Sequence, residues 1–164
     1  MMKGIKVLTQ KRVKELFDYN SNTGVFTRVI PVRNGKIGPV GFVDSSGYLR
    51  VSVDGTPQLI HRLVWLYVYG YFPNVIDHIN MIRTDNRLSN LRDTSYTINN
   101  QNTKTARPYN KSKCLGVSIR KSGQITAQIY INNKQIYLGT FKTVEDAQNA
   151  YLTEKRNLHD GCTI

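Results

Sequence analysis

Asp77 and His78 stand side by side at the end of a short apolar run, Val75-Ile76. A carboxylate is the anionic oxygen donor that a hard divalent cation takes. A neutral imidazole can accept a proton from water near neutral pH. Together they suit phosphodiester hydrolysis, which needs an activated water, an electrophile for the developing charge and a stabilised leaving oxygen. A divalent ion supplies the last two. A histidine closing an apolar run is also a common structural residue. What favours the chemical reading is the polar density that follows: Asn80, Asp85-Asn86-Arg87, Asn90, Arg92 and Asn99 fall within 22 positions of Asp77. An Asn carbonyl is a good second ligand, because it leaves net positive charge at the ion to face a phosphate. Asp85, Asn86 and Arg87 also read as a hydrogen-bonded turn, and that is the expectation for them.

Several elements must position this stretch. Thr9 can cap a short helix running through Phe17, with Leu8, Val13, Leu16 and Phe17 inward. Asn20-Ser21-Asn22-Thr23-Gly24 is turn chemistry, and residues 25–29 read as a strand. A loop with Pro31, Gly35, Gly38, Pro39 and Gly41 leads to a strand at 47–53, where Tyr48, Arg50 and Ser52 alternate with Leu49, Val51 and Val53. Asp54-Gly55 predicts a hairpin turn and residues 58–60 its return strand. Residues 61–69, closed by Gly70, predict a short buried helix. Pro73-Asn74 is a turn, and 95–102 has helical spacing. The tail alternates at 115–120, 124–131 and Lys134–Phe141, with turns at Ser122-Gly123 and Asn132-Asn133. Thr143, with Asp146 three residues on, then opens a helix whose stripe is Val144, Ala147, Ala150, Tyr151 and Leu158.

The chain has 164 residues and a formal net charge of +12. Residues 1–60 carry nine basic and four acidic side chains, 61–100 four and three, and 101–164 ten and four. Two basic flanks around a nearly neutral centre point to nucleic acid as partner, or to a solvated basic surface. Arg28, Arg33, Lys36 and Arg50 in the first flank can face either DNA or solvent. Residues 104–113 are polar and basic, and read as a linker that lies along phosphates or simply connects. The cysteines, Cys114 and Cys162, form no C-x-x-C pair, which argues against a zinc site and for a reducing intracellular setting. The first residues lack the apolar run of a signal peptide, and the longest apolar stretch, 63–69, is too short to span a bilayer.

Asp77-His78-Ile79-Asn80, then Asp85-Asn86-Arg87-Leu88-Ser89-Asn90-Leu91-Arg92, then Asn99, closely resembles the His-Asn-His (HNH) homing endonucleases of phages. His61-Arg62-Leu63-Val64-Trp65 resembles the lead-in these proteins carry. The resemblance implies a ββα-metal fold and assigns roles by position: His78 the general base, Asp77 the carboxylate ligand, Asn90 the residue that braces the loop and orients the histidine, and Asn99 the second ligand, with Asn100 as its neighbour in register. It implies one divalent ion, Mg2+ or Mn2+, and duplex DNA as substrate. Family loops usually have Gly where this chain has Met81. If that position takes a positive φ, Met81 strains the loop.

Residues 115–158 resemble the DNA-binding domain of plant ethylene-response factors (the Apetala-two fold). The matching features are Leu115-Gly116-Val117, Ala127-Gln128-Ile129, Tyr137-Leu138-Gly139-Thr140-Phe141, Glu145-Asp146-Ala147 and Ala150-Tyr151. In that family the open sheet face enters the major groove. The corresponding face carries Ser118, Arg120, Gln128, Tyr130, Gln135 and Tyr137. Where several plant contact positions are Arg or Trp, this chain has mostly Ser, Gln and Tyr.

The expected architecture is therefore α+β: a β-rich N-terminal segment with one helix at 1–60, a central ββα-metal motif at 61–103, a basic linker at 104–113, and at 114–164 a three-stranded antiparallel sheet packed on one helix. The expected function is a metal-dependent DNA endonuclease of the phage homing type in the host cytoplasm, with no membrane role, acting as monomer or dimer. The rivals are a non-catalytic DNA-binding regulator on the same fold and an RNA-binding module. The expected DNA contacts are Arg62, Arg83, Arg87, Arg92, Lys104, Arg107, Lys113, Arg120, Lys121, Gln128, Tyr130, Lys134, Gln135 and Tyr137.

Overall fold

The computed structural model describes residues 7–31, 36–103 and 105–163. Arg33, Gly35 and Lys104, and the start of the chain read above for a signal peptide, lie outside the described residues. The fold is mixed α+β, and the chain divides into two compact units, Met1–Ser95 and Tyr96–Ile164.

In the first unit, helix α1 (Gln10–Leu16) is capped by Thr9, whose hydroxyl accepts the Arg12 amide at 3.2 Å. The chain turns at once into strand β1 (Phe17–Tyr19), which pairs antiparallel with β2 (Phe26–Arg28), and β2 with the two-residue β3 (Gly38–Pro39). A second sheet holds β4 (Phe42–Val43), β5 (Leu49–Val53) and β6 (Thr56–Leu59). Asp54 and Gly55 join β5 to β6 with φ of 48° and 83°, the left-handed pair that a two-residue hairpin wants. Helix α2 (Ile60–Tyr69) begins at the residue expected to end the return strand and stops at Gly70, whose N–H closes on the Leu66 carbonyl at 3.0 Å. Strands β7 (Val75–His78) and β8 (Leu91–Thr94) form a two-stranded ladder.

One core serves all of this. Val13, Leu16, Phe17 and Phe26 from the first sixty residues, with Val51 and Val53, pack with Ile60, Leu63, Val64, Trp65, Leu66 and Leu91. Arg28, read as facing DNA or solvent, is instead buried: its guanidinium lies 4.5 Å over the Phe17 ring and donates to the Ser52 carbonyl at 2.9 Å. A guanidinium can be buried when its donors are met and its plane stacks on an aromatic face. Arg50 is paired with Asp44.

In the second unit, α3 (Tyr96–Gln101) precedes a sheet of β9 (Val117–Ile119), β10 (Ile125–Ile131) and β11 (Lys134–Phe141), ordered β11-β10-β9 and antiparallel throughout. Helix α4 (Val144–Leu158) is capped by Thr143, whose hydroxyl accepts the Asp146 amide at 3.0 Å. Ala147 and Tyr151 pack with Val117, Ala127 and Ile129 from the sheet. The expected stripe changes at its end. Leu158, the last helical residue, is 39% exposed, whereas Lys155 is buried one turn after Tyr151. Its stem lies inward while its Nζ donates to the Thr103 carbonyl. Within the expected linker, Asn110 and Ser112 are tied to the Cys114 and Val117 carbonyls, so this part is a hydrogen-bonded turn. Both cysteines are free thiols. No helix among the described residues is long and apolar enough to cross a membrane.

Candidate active site

The β7–β8 ladder sets Asp77 opposite Arg92 and His78 opposite Leu91. Both Asp77 and His78 are buried. Strand β7 ends at His78, and the loop to β8 is a web of asparagine bonds. Asn80 donates its Nδ2 to Asp85 Oδ2 at 2.7 Å, and its Oδ1 accepts the Ile82 amide at 2.8 Å. Asn90 Oδ1 accepts the Asn80 amide at 2.9 Å, while its Nδ2 donates to the Asp85 carbonyl at 2.8 Å. Asn90 thus spans the loop from end to end. Arg87 grips Asp85 with two N–H groups, at 2.8 and 2.6 Å, and holds its carboxyl down at about 2.

The side-chain bonds of Asn90 go to the loop backbone, at the Asn80 amide and the Asp85 carbonyl. A partner of the ring is Asn86, expected as a turn residue. His78 Nε2 lies 3.2 Å from Asn86 Oδ1. Asn86 Nδ2 lies 3.5 Å from the Thr84 carbonyl, with the amide oxygen toward the ring. An amide oxygen can only accept, so this pairing calls for the His78 proton on Nε2. Two rings enclose His78: Tyr48 with centroids 5.9 Å apart, and His61 at 5.1 Å and nearly perpendicular. Burial pushes His78 below the ordinary imidazole value, against the opposing pull of Asn86, Asp77 and Asp85. His61 is more extreme: burial, with His78, Arg62 and Arg50 adding to it, brings it down to about 3, and its Nδ1 has no hydrogen-bond partner. Both imidazoles are therefore neutral at pH 7, as a base must be.

Asp77 Oδ2 accepts from Arg92 Nε at 3.0 Å and Nη2 at 2.7 Å. The other expected DNA-contacting arginines of this unit also have partners within the chain. Arg62 donates to the Pro73 carbonyl at 3.1 Å, and Arg83 to the Ser46 carbonyl at 2.6 Å with its guanidinium over Tyr48. Asn99 stands half-buried on α3 in the second unit, and Asn100 is exposed. In the same unit Arg107 bonds Tyr109, Lys113 bonds the Pro108 carbonyl, and Arg120, Lys121 and Lys134 are exposed. Gln128 pairs with Tyr137, and Tyr130 with Gln135, across β10 and β11. The Tyr130 hydroxyl donates to Gln135 Oε1 at 3.0 Å.

Residues 58–101 match the HNH endonuclease family model. The matched HNH segment runs from the end of β6 through α3, and so contains His61, Asp77, His78, Asn86, Asn90 and Asn99. No curated protein and no solved structure matches the chain. HNH nucleases generally use a divalent metal. The donor set fits an oxygen-seeking ion: Asp77 offers a buried carboxylate, and magnesium-type ions often take one or two carboxylates plus substrate phosphate. A closed cage of three or more His, Cys, Asp or Glu side chains is not present among the described residues.

Sequence reasoning missed three side chains at the candidate site: Asn86, His61 and Tyr48. Asn86 lay inside the motif, but local turn chemistry accounted for it equally well. His61 and Tyr48 reach His78 only through tertiary packing, for which spacing carries no signal. The concern over Met81 is borne out: it adopts φ 63°, in the left-handed region. A side chain there costs roughly 1–2 kcal/mol, and Gly gives back part of that relief through its looser unfolded chain. Met81→Gly is therefore expected to raise stability by up to about 1 kcal/mol, read as a higher urea midpoint at unchanged m-value.

Proposed function

We propose that the chain is a metal-dependent endonuclease of the homing type that hydrolyses phosphodiester bonds in duplex DNA. The observation that carries this reading is the His78–Asn86 hydrogen bond inside an HNH-matching segment, since it leaves a buried, neutral imidazole with a basic Nδ1. His78 takes the proton of the attacking water at Nδ1. Asn90 braces the loop between β7 and β8. Asp77 would hold the ion, and Asn99, with Asn100 the alternative, is the second ligand that the sequence resemblance implies. When bound, a divalent ion supplies charge stabilisation to the phosphate and the leaving oxygen. Arg92, which pairs with Asp77, is a candidate for a phosphate contact beside that carboxylate.

The net charge of +12 supports a polyanionic partner. Arg62, Arg83 and Arg87 in the first unit are candidates for phosphate contacts, as are Arg107, Lys113, Arg120, Lys121 and Lys134 in the second. The three antiparallel strands with a helix on one face support the Apetala-two reading of the tail, with Gln128, Tyr130, Gln135 and Tyr137 toward DNA. Phage origin, and with it the host cytoplasm, rests on the sequence resemblance of the 77–99 stretch.

One observation favours a second reading. Arg92 already compensates the charge of Asp77, as it would in a regulator that binds DNA and cuts nothing. Incubation with supercoiled plasmid separates the two. The nuclease converts it to nicked circles with Mg2+ or Mn2+ and leaves it intact with EDTA. DNA binding without nicking, over a range of plasmids and both ions, would establish the regulator.

A further inference from the structure

Apart from Tyr48 beside the His78 ring and Ser46 under Arg83, the first sixty residues meet the site on the turn between β1 and β2. Asn20 closes that turn, with its Oδ1 accepting the amides of Asn22 and Thr23. The Tyr19 hydroxyl donates to the backbone carbonyl of Asn86 at 2.8 Å, and the Ser21 carbonyl accepts the Leu88 amide at 3.2 Å. Gly24 lies flat against the same backbone at φ +74°. A Cβ there would sit 2.6 Å from the Arg87 nitrogen and 2.8 Å from the Asn86 carbonyl carbon. Asn86 is held from both sides and is only 1% exposed. Tyr19 is in turn anchored by rings: Phe26 lies 6.1 Å and Tyr67 6.0 Å from it, centroid to centroid.

We propose that the β1–β2 hairpin is a clamp on the site: Tyr19, Ser21 and Gly24 fix the backbone at 86–88, and Asn86, so fixed, holds His78 in the tautomer with its proton on Nε2. Tyr19 and Asn86 are positioning residues. The role of His78 as base rests on the nuclease reading, whereas its tautomer does not. Three features agree with the clamp. The hairpin turn carries no arginine or lysine from Tyr19 to Thr27, so it is not built to grip phosphates. Burial pushes the Tyr19 hydroxyl up to about 12, so it remains a donor throughout the working pH range. Glycine is the one residue that allows this approach at Gly24, because any Cβ would meet backbone rather than a movable side chain.

The test reads the ring nitrogens directly. In 15N-labelled protein at pH 7.5, long-range 1H–15N correlation of the three histidines distinguishes the two neutral tautomers. The parent is expected to show His78 as a single species protonated on Nε2. Asn86→Ala and Tyr19→Phe are expected to give an averaged or mixed pattern, and Asn86→Asp, which keeps an acceptor, to restore the parent pattern. Plasmid nicking supplies the second readout: kcat falls roughly 10–100-fold for Asn86→Ala and less for Tyr19→Phe, with KM unchanged. A His78 proton on Nδ1 in the parent, or a pattern indifferent to Asn86→Ala and Tyr19→Phe in folded protein, overturns the clamp. A parent with the expected tautomer that cuts nothing leaves the clamp standing and refutes the nuclease.

Discussion

Replacing His78 by Ala is expected to slow plasmid nicking by about 100- to 10,000-fold, the usual worth of a positioned general base, while DNA affinity stays within about twofold. The imidazole is asked only to remove a proton in the transition state, so its loss appears in kcat and not in binding. The pH profile sharpens this result. His78 acts as the free base, and burial holds its pKa below the ordinary 6.5. Parent activity is therefore already more than half-maximal at pH 6.5 and falls as pH drops further. The His78→Ala remnant should lack this acid limb. Measuring both profiles with Trp65 fluorescence as the folding control separates lost chemistry from lost structure, since Trp65 is the single tryptophan and lies in the core of the site-bearing unit. A variant that nicks at the parental rate would remove His78 from the mechanism.

The second large effect is on stability. His61 is expected to make the first unit acid-labile well above the carboxylate range. Its folded pKa of about 3 lies below the unfolded value of 6.5. Between those two values the unfolded chain binds a proton that the folded chain does not, so stability is fully present above pH 6.5 and falls as pH drops toward 3. The slope is about 1.4 kcal/mol per pH unit for one group. Over the whole window the loss is several kcal/mol, a large share of the roughly 5–15 kcal/mol of a typical domain. Urea denaturation followed through Trp65 at pH 7.5, 6.0 and 5.0 should show a falling midpoint. His61→Phe, which keeps a ring beside Tyr48 and His78, should reduce the dependence and leave the share that the similarly depressed His78 contributes. An unchanged slope in that variant would place the acid sensitivity elsewhere.

What could be read from the residues was whatever local chemistry decides. Asp54-Gly55 and Asn132-Asn133 tolerate positive φ, so both hairpins stand where the sequence put them, and Lys134–Phe141 is a strand over its whole expected length. Thr9 and Thr143 cap the helices they were expected to cap. The losses occur where partners are distant in the chain. Strand β1 follows α1 without a break because Phe17 pairs with Arg28, a contact that no helical or strand period signals. Two-residue strands such as β3 and β4 are too short to alternate. Lys155 is inward because a carbonyl 52 residues earlier accepts its ammonium. At the site, the Asp77-His78 pair and the bracing role of Asn90 were legible, but the ring partner Asn86 and the aromatic wall of Tyr48 and His61 were not. Their roles depend on which surfaces of α2, β5 and the hairpin turn toward the end of β7.

The shared core limits how far the chemistry can be moved. The stretch from 58 to 101 supplies Ile60, Leu63, Val64, Trp65, Leu66 and Leu91, but their neighbours Val13, Leu16, Phe17, Phe26, Val51 and Val53 all precede it. A gene fragment trimmed to that stretch would encode the reactive groups with half their enclosure missing. Grafting it onto another binding module, by recombination or by design, would transplant a sequence signature without a working part. A transferable cassette must carry the whole 1–95 unit and, beyond it, the Asn99 that the nuclease reading assigns to the ion, and it must close the β1–β2 turn on a loop more than sixty residues downstream.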